Sequence, residues 1–264
     1  MLSHIQTLSQ FKTRHAATLS GLAAQHWLEQ EILQIIGSNK HWELVRQPFP
    51  FQLKEYTSAN LIVRPKQGPK AIYIFGAHYD STNDLNYHSR APGVDDNASG
   101  VVVMQSLLSR LISSHLHVDN IWLVFFGAEE INLNGSRALA TWLADNGYTV
   151  ELMVNNDLVG NGQTAVTIYA GSHLSQAWAE ILTQRLSTNF PLQINLNPNL
   201  DRPGHSGDHI PFLEQGWAAL RLTEERDYNP VQHTPKDIYI NSSYLETILE
   251  LNWTFLVELG NMFR

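Results

Sequence analysis

Apolar residues recur at helical spacing near the start of the chain, at Leu22, Trp27, Leu28, Ile32, Leu33 and Ile36, and Gly37 follows as a natural stop. The spacing predicts an amphipathic first helix. Beyond it, short β-branched and aromatic runs at 61–63, 71–75, 121–126, 152–154, 166–169 and 219–222 read as strands. Helical periodicity separates several of them, at about 99–113, 134–146 and 172–186, and a last helix is expected over about 243–263. The runs at 71–75 and 121–126 are apolar at every position rather than alternately. Strands of that kind are buried on both faces, so the pattern predicts an α/β fold: a mixed, mostly parallel central sheet sandwiched by helices. No repeat and no long Pro/Gly/Ser linker divides the chain, so a single domain over 1–264 is expected.

Composition acts mainly by exclusion. A hydrophobic share of 43% is ample for a core and argues against disorder. The chain has no Cys, which removes disulfide frameworks, thiolate metal sites and cysteine nucleophiles and leaves His and carboxylates as the strong metal ligands. With 17 Lys+Arg against 25 Asp+Glu and a net charge of −8, no basic cluster offers itself to nucleic acid. A small molecule or a peptide is the expected partner. No apolar run approaches the roughly 20 residues needed to span a bilayer. Residues 1–10 lack the charged and apolar regions of a secretory signal.

In a parallel sheet the site lies beyond the carboxyl ends of the strands. Strand 71–75 runs into Gly76-Ala-His78-Tyr-Asp80, strand 121–126 into Gly127-Ala-Glu129-Glu130, and strand 152–154 into Asn155-Asn-Asp157. Asp95 and Asp96 stand before the helix near 99–113, and His233 lies in a Pro-containing loop before the last helix. Singly, each has a bland role. Asp95 or Asp96 suits a helix cap, His78 a hydrogen-bonded rim, and the Glu129-Glu130 pair a solvated loop. Together, such anions on one sheet edge repel one another unless something cationic sits among them. Two dications of the zinc type satisfy the set, with one carboxylate bridging.

The segments GAHYDST (76–82), APGVDDNASG (91–100), FFGAEE (125–130), NNDLVG (155–160) and DYNPVQHTPKD (227–237) resemble the bacterial leucyl aminopeptidases with co-catalytic zinc. That group belongs to a metallopeptidase family that also includes glutamate carboxypeptidase and glutaminyl cyclase, and the resemblance runs over almost the whole chain. It implies a zinc-exopeptidase fold and two zinc ions per chain, one held by His78 and Asp157, the other by Glu130 and His233, with Asp96 bridging. It also implies that Asp80 orients the His78 imidazole, that Glu129 is the general base, and that the Asp96-Asn97 peptide is cis. The implied reaction is attack of a metal-activated water on the first peptide bond of a substrate with a free N-terminus, with apolar first residues preferred. The implied setting is periplasmic or extracellular, a cytoplasmic one being the alternative, and a monomer is the expected state.

The chain departs from those enzymes at 201–209, where Gly204 takes the place of an oxyanion-steadying tyrosine and Gly207 that of a serine. His205 or Tyr228 is the candidate replacement donor or substrate contact. Asp208 and His209 have an equal claim to being a helix cap and a rim residue. Tyr79, Tyr87, Phe212 and Tyr228 are candidate pocket aromatics. Three lookalikes are set aside: 204–208 lacks the last glycine of a nucleophile elbow, 160–165 runs into a strand where a dinucleotide fingerprint needs a helix, and Asn97-Ala-Ser99 is a sequon by letters alone. The competing functions are a single-zinc cyclase of the glutaminyl type and a non-catalytic binding domain.

Overall fold

The computed structural model describes residues 1–50, 58–114, 116 and 118–262. The apolar runs form the middle of one eight-stranded sheet of order β1-β2-β4-β3-β5-β8-β6-β7. Its strands are β1 (Trp42–Phe49), β2 (Ser58–Pro65), β3 (Ala71–His78), β4 (Ile121–Phe126), β5 (Thr149–Asn156), β6 (Ala165–Tyr169), β7 (Gln193–Asn197) and β8 (Ala219–Glu224). The centre, β4-β3-β5-β8, is parallel throughout, and β6 pairs in parallel with β7. Antiparallel pairing joins β1 to β2, β2 to β4 and β6 to β8.

Alternation along β3 explains its unbroken hydrophobicity. Tyr73 and Phe75 point to one layer, where they meet residues of α1 (Leu2–Gln10), α2 (Leu19–Ile36), α3 (Gly100–Ser113), α5 (His173–Thr183) and α7 (Ser242–Asn261). Ile72 and Ile74 point to the other, against Leu139, Ala140 and Leu143 of α4 (Asn134–Asp145) and Phe212 of α6 (Ile210–Glu214). Both faces are covered, as the sequence pattern requires.

Local signals set the helix ends. Thr18 accepts the Gly21 amide at the start of α2, and Gly37, at φ 54°, closes it by donating to the Leu33 carbonyl. Asn241 caps α7 in the same way, accepting from Tyr244. The expected last helix ends at Asn261, and residue 263 lies outside the described residues. Before α3 the chain makes a π-helical turn, Val94–Ser99, containing the cis Asp96-Asn97 peptide. Neither Asp95 nor Asp96 caps α3. The Gly100 amide donates instead to Asn97 Oδ1 at 3.0 Å, which corrects the capping expectation and leaves both aspartates free for other partners. No helix among the described residues is long and apolar enough to cross a membrane.

Candidate metal centre

Because β4, β3 and β5 are adjacent and parallel, their carboxyl ends lie on one edge, and the residues following them meet there. β3 contributes His78, the turn after β4 contributes Glu129 and Glu130, and the residue after β5 is Asp157. The π-helical turn adds Asp96, and the loop before α7 adds His233.

Asp96 faces both histidines. Its Oδ1 is 3.2 Å from His78 Nε2 and its Oδ2 is 3.1 Å from His233 Nε2. Each histidine has a second carboxylate beside it: Asp157 Oδ1 lies 3.4 Å from His78 Nε2, and Glu130 Oε2 lies 3.0 Å from His233 Nε2. Tetrahedral zinc, with ligand bonds of about 2.0–2.2 Å, sets neighbouring donor atoms about 3.3 Å apart. In two triads that share one carboxylate, His78-Asp96-Asp157 and Asp96-Glu130-His233, the histidine-to-carboxylate distances have that spacing and all the ligand atoms lie within 4.8 Å of one another, as they also do in a third grouping, His78-Glu129-Glu130. Glu130 Oε1 is buried with no hydrogen-bond partner among the described residues, a further free donor in the second triad. Glu129 Oε2 stands 4.0 Å from His78 Nε2, outside both triads but within the same cleft.

Carboxylates behind the site hold its backbone. Asp80 accepts the amides of Glu129 and Glu130 through its two oxygens, each at 3.1 Å, while its Oδ1 lies 3.6 Å from His78 Nδ1. Asp237 does the same for the other acidic pair, accepting the amides of Asp95 at 3.1 Å and Asp96 at 3.0 Å. Asp95 turns away from the histidines and accepts from the Gly160 amide and from Asn229 Nδ2. Asp84 meets His233 Nδ1 at 2.9 Å.

Two fully buried arginines complete the frame. Arg14 donates to the carbonyls of Leu8, Tyr79, Pro92 and Gly93, tying the N-terminal segment to the loops that carry Asp80 and Asp96. Gly93 is needed at that junction: its φ is 52°, and a Cβ there would sit 2.8 Å from Arg14 Nη2 and 2.3 Å from the Asp96 carbonyl oxygen. Arg221 on β8 donates to Asp157 Oδ2 at 3.0 Å.

The electrostatics are those of an anionic nest. Burial opposes protonation of His78, yet Glu129, Asp157, Asp80 and Asp96 together hold it well above the usual imidazole range. His233 is likewise pushed up to about 12 against burial, by hydrogen bonds to Asp96 and Glu130. Asp96 stays well below the carboxylate range despite burial because both histidines face it, and Asp157 falls below it under Arg221 and His78. Burial, with Asp96 adding to it, raises Glu130 to about 7. Burial also lifts Glu129 well above its ordinary value, reinforced by Glu130 and Asp208 against the pull of His78.

The remaining wall of the cleft, about 290 Å³, comes from Asn132, Leu133, Gly204, His205, Ser206 and Gln232. His205 is thus placed at the site, its Nε2 3.9 Å from Asp157 Oδ2. Tyr228 is not: it is 64% exposed and lines a separate depression with Glu224 and Arg226, so it is withdrawn as a donor and as a pocket aromatic. Tyr79 and Phe212 are core residues. The Tyr79 hydroxyl lies 2.9 Å from Gln25 Oε1 and 2.8 Å from the Ala59 carbonyl oxygen, either of which can accept its single proton, and Phe212 packs edge-on to Phe126. Tyr87 stacks on His15 instead of lining the cleft. Asp208 caps nothing, since α6 starts after His209 without a side-chain cap, and burial raises its carboxyl to about 7. His209 is not at the rim either: it is fully buried, its Nε2 meets the Leu200 carbonyl at 2.8 Å, and burial lowers it to about 4.

Comparison with known proteins places this geometry. A probable zinc metalloprotease of Leptosphaeria maculans is 26% identical, the match covering 98% of this chain and 70% of that protein. A probable leucine aminopeptidase of Arthroderma otae is also 26% identical, over 92% of this chain and 67% of its own length. For two further probable zinc metalloproteases, of Pyrenophora species, the chain spans 63% of the relative's length. Among solved structures, the Legionella pneumophila LapA aminopeptidase superposes with a TM-score of 0.82 at 19% identity, over 98% of this chain and 70% of that one. A Bacteroides thetaiotaomicron glutaminyl cyclase superposes at 0.76 with 15% identity, over 96% and 94%. At those identities the likeness concerns the fold. The model of peptidase family M28 matches residues 60–256, well over half of the chain and every residue of both triads, and the chain therefore belongs to peptidase family M28.

Proposed function

We propose that the chain is a dizinc aminopeptidase that removes N-terminal residues, with apolar ones preferred, from peptides carrying a free amine. His78 and Asp157 would hold one zinc and Glu130 and His233 the other, with Asp96, common to both triads, available to each. The observation that carries this reading is Asp96, whose two oxygens address two different histidines, at 3.2 and 3.1 Å, each with a carboxylate of its own. A cyclase of the glutaminyl type needs one such triad. Two triads sharing a residue favour the two-metal peptidase.

The chemistry a bound zinc pair supplies is Lewis acidity, which acidifies water and polarises a carbonyl. The chain's own groups do the rest. Glu129 takes the proton of the attacking water at Oε2 and passes it to the leaving amine, and its burial raises its basicity in the direction a general base near neutrality requires. Asp80 keeps Glu129 and Glu130 in different orientations by gripping both amides, so one carboxylate serves the metal and the other the proton. His205, anchored at Nδ1 by Asp201, presents Nε2 to the cleft as the donor for the developing oxyanion or the substrate carbonyl. The cleft is at the small end for ligand pockets and suits one terminal residue.

The test measures zinc per chain and, in parallel, turnover of leucyl, N-acetyl-leucyl and N-terminal glutaminyl substrates. Two zincs with hydrolysis of the free-amine leucyl substrate alone is the expected result. One zinc with release of pyroglutamate assigns the cyclase reaction instead, and no turnover with any substrate leaves a binding domain.

A further inference from the structure

The two oxygens of Asp157 keep different company. Oδ1 faces His78, whereas Oδ2 accepts from Arg221 Nε at 3.0 Å. The rest of the guanidinium is committed too: Nη1 donates to Asp201 Oδ1 at 2.6 Å and to Asp227 Oδ2 at 3.0 Å, and Nη2 donates to Asp227 Oδ1 at 3.0 Å. The Thr223 hydroxyl donates to Asp227 Oδ1 from the same strand, and the Tyr169 ring lies 5.8 Å from the guanidinium carbon. Asp201 then meets His205 Nδ1 at 3.1 Å through its other oxygen. A continuous chain of contacts therefore runs from Asp157, through Arg221 and Asp201, to a histidine of the cleft wall.

Charge alone does not account for this arrangement. Arg202 Nε already brings a second cation to 3.5 Å from Asp227 Oδ1, and a lysine at position 221 would bring the same single charge as the arginine. What arginine adds is a rigid planar fork that fixes several acceptors relative to one another. The contrast with the other triad is direct. Glu130 has one oxygen on His233, while its Oε1 has no hydrogen-bond partner among the described residues.

We propose that Arg221 is a positioning residue of the site: it leaves Asp157 a single free donor oxygen, and through Asp201 it sets the ring of His205 at the cleft. The proposal rests on the two-metal reading above. It makes the half-sites unequal by construction, since Asp157 offers one oxygen where Glu130 offers two.

The experiment is a stepwise zinc titration of the metal-free protein against a competing chelator, with wild type, Arg221→Lys and Asp201→Asn, followed by kcat and KM of the loaded enzymes on a leucyl substrate. Arg221→Lys keeps the charge and loses the fork. It is expected to weaken one of two zinc equivalents about 10- to 100-fold and leave the other unchanged, the size usual when a partner of a metal ligand is altered. Asp201→Asn is expected to bind both equivalents like wild type while kcat falls about 10-fold or more. If Arg221→Lys does not fold, Asp227→Asn, which removes the two-oxygen grip on the guanidinium, should give the same one-equivalent weakening. Equal weakening of both equivalents, or of neither, overturns the role at Asp157, and wild-type kcat in Asp201→Asn overturns the link to His205. Wild-type protein that binds fewer than two equivalents overturns the two-metal reading and this proposal with it, whereas two equivalents with an unselective Arg221→Lys overturns the proposal alone.

Discussion

The two triads around Asp96 are built from different material. His78 and Asp157 follow from neighbouring parallel strands and are 1% and 2% exposed, and the carboxylates flanking His78 are buried as well. His233 belongs to a loop, adopts a left-handed φ of 57°, has a side chain 27% exposed, and is steadied by Asp84, itself 69% exposed. A non-glycine residue in that region carries about 1–2 kcal/mol of backbone strain. One triad is thus fixed by the sheet, whereas the other takes Glu130 from the turn after β4 but His233 from a strained loop with a solvent-exposed support. The difference teaches where precision comes from: hydrogen-bonded strands place His78 and Asp157 where buried partners, Asp80 and Arg221, face them, while His233 on its loop relies on a contact that water weakens.

The substitution with the largest expected effect removes the residue common to both halves. Asp96→Ala should reduce peptidase activity to background and weaken both metal equivalents; if one equivalent persists at full affinity, the triads are independent and Asp96 does not bridge. Next, Glu129→Gln should retain both metals, measured by elemental analysis, and lose about a thousandfold in kcat, within the span of general acid-base terms. Retention of kcat would remove Glu129 from proton transfer.

A third expectation concerns protons in both halves. Because the surrounding carboxylates favour the protonated forms of His78 and His233 in the absence of metal, zinc binding is expected to displace a proton from each. Affinity therefore falls as pH falls, by about 10-fold per pH unit for each equivalent and about 100-fold for the two together, and calorimetry in buffers of different ionisation heat should count at least two protons released in all. Fewer than two breaks the comparison in favour of one functional triad. The smallest effects separate the supports themselves. Asp80→Asn, a buried support that faces His78 and holds the Glu129 and Glu130 amides, should lower kcat/KM by about 10- to 100-fold. Asp84→Asn, at the surface, should lower it by no more than about fivefold, and that loss should shrink at high salt. Equal effects would mean that exposure does not distinguish the halves.

How much of this was legible in the sequence follows the same division. The central strands were, because burial on both faces leaves an unbroken apolar run, and the strand-end rule then located His78, Glu129, Glu130 and Asp157 together. The edge strands β1 and β7 were not. Gln193-Ile-Asn-Leu-Asn197 is polar and only partly buried, since it covers a sheet margin, and carries no pattern that separates it from a loop. α1 buries only Ile5 and Leu8 and likewise gave no periodic signal. Arg221 sits inside the apolar run Ala219-Leu-Arg-Leu222, where periodicity gives it no role, although the position is itself a signal: a cation within a buried strand must find anions. Tyr228 has its place in a motif, and a motif does not state which way a loop side chain faces. Asp237 lay within a recognised segment, but its grip on the Asp95 and Asp96 amides spans more than 140 positions, which no local pattern reports.

Arg14 gives the fold a wider boundary than its chemistry suggests. Residues 60–256 contain every group assigned to metal or proton, yet the guanidinium clasping the Tyr79 and Gly93 carbonyls comes from the opening segment, far outside that stretch. Anyone trimming the gene to its recognisable part would keep the reagents and discard the clamp. A portable piece of this protein has to keep that buried cation together with Leu8, whose carbonyl it also holds, and fusions or truncations should be planned around both.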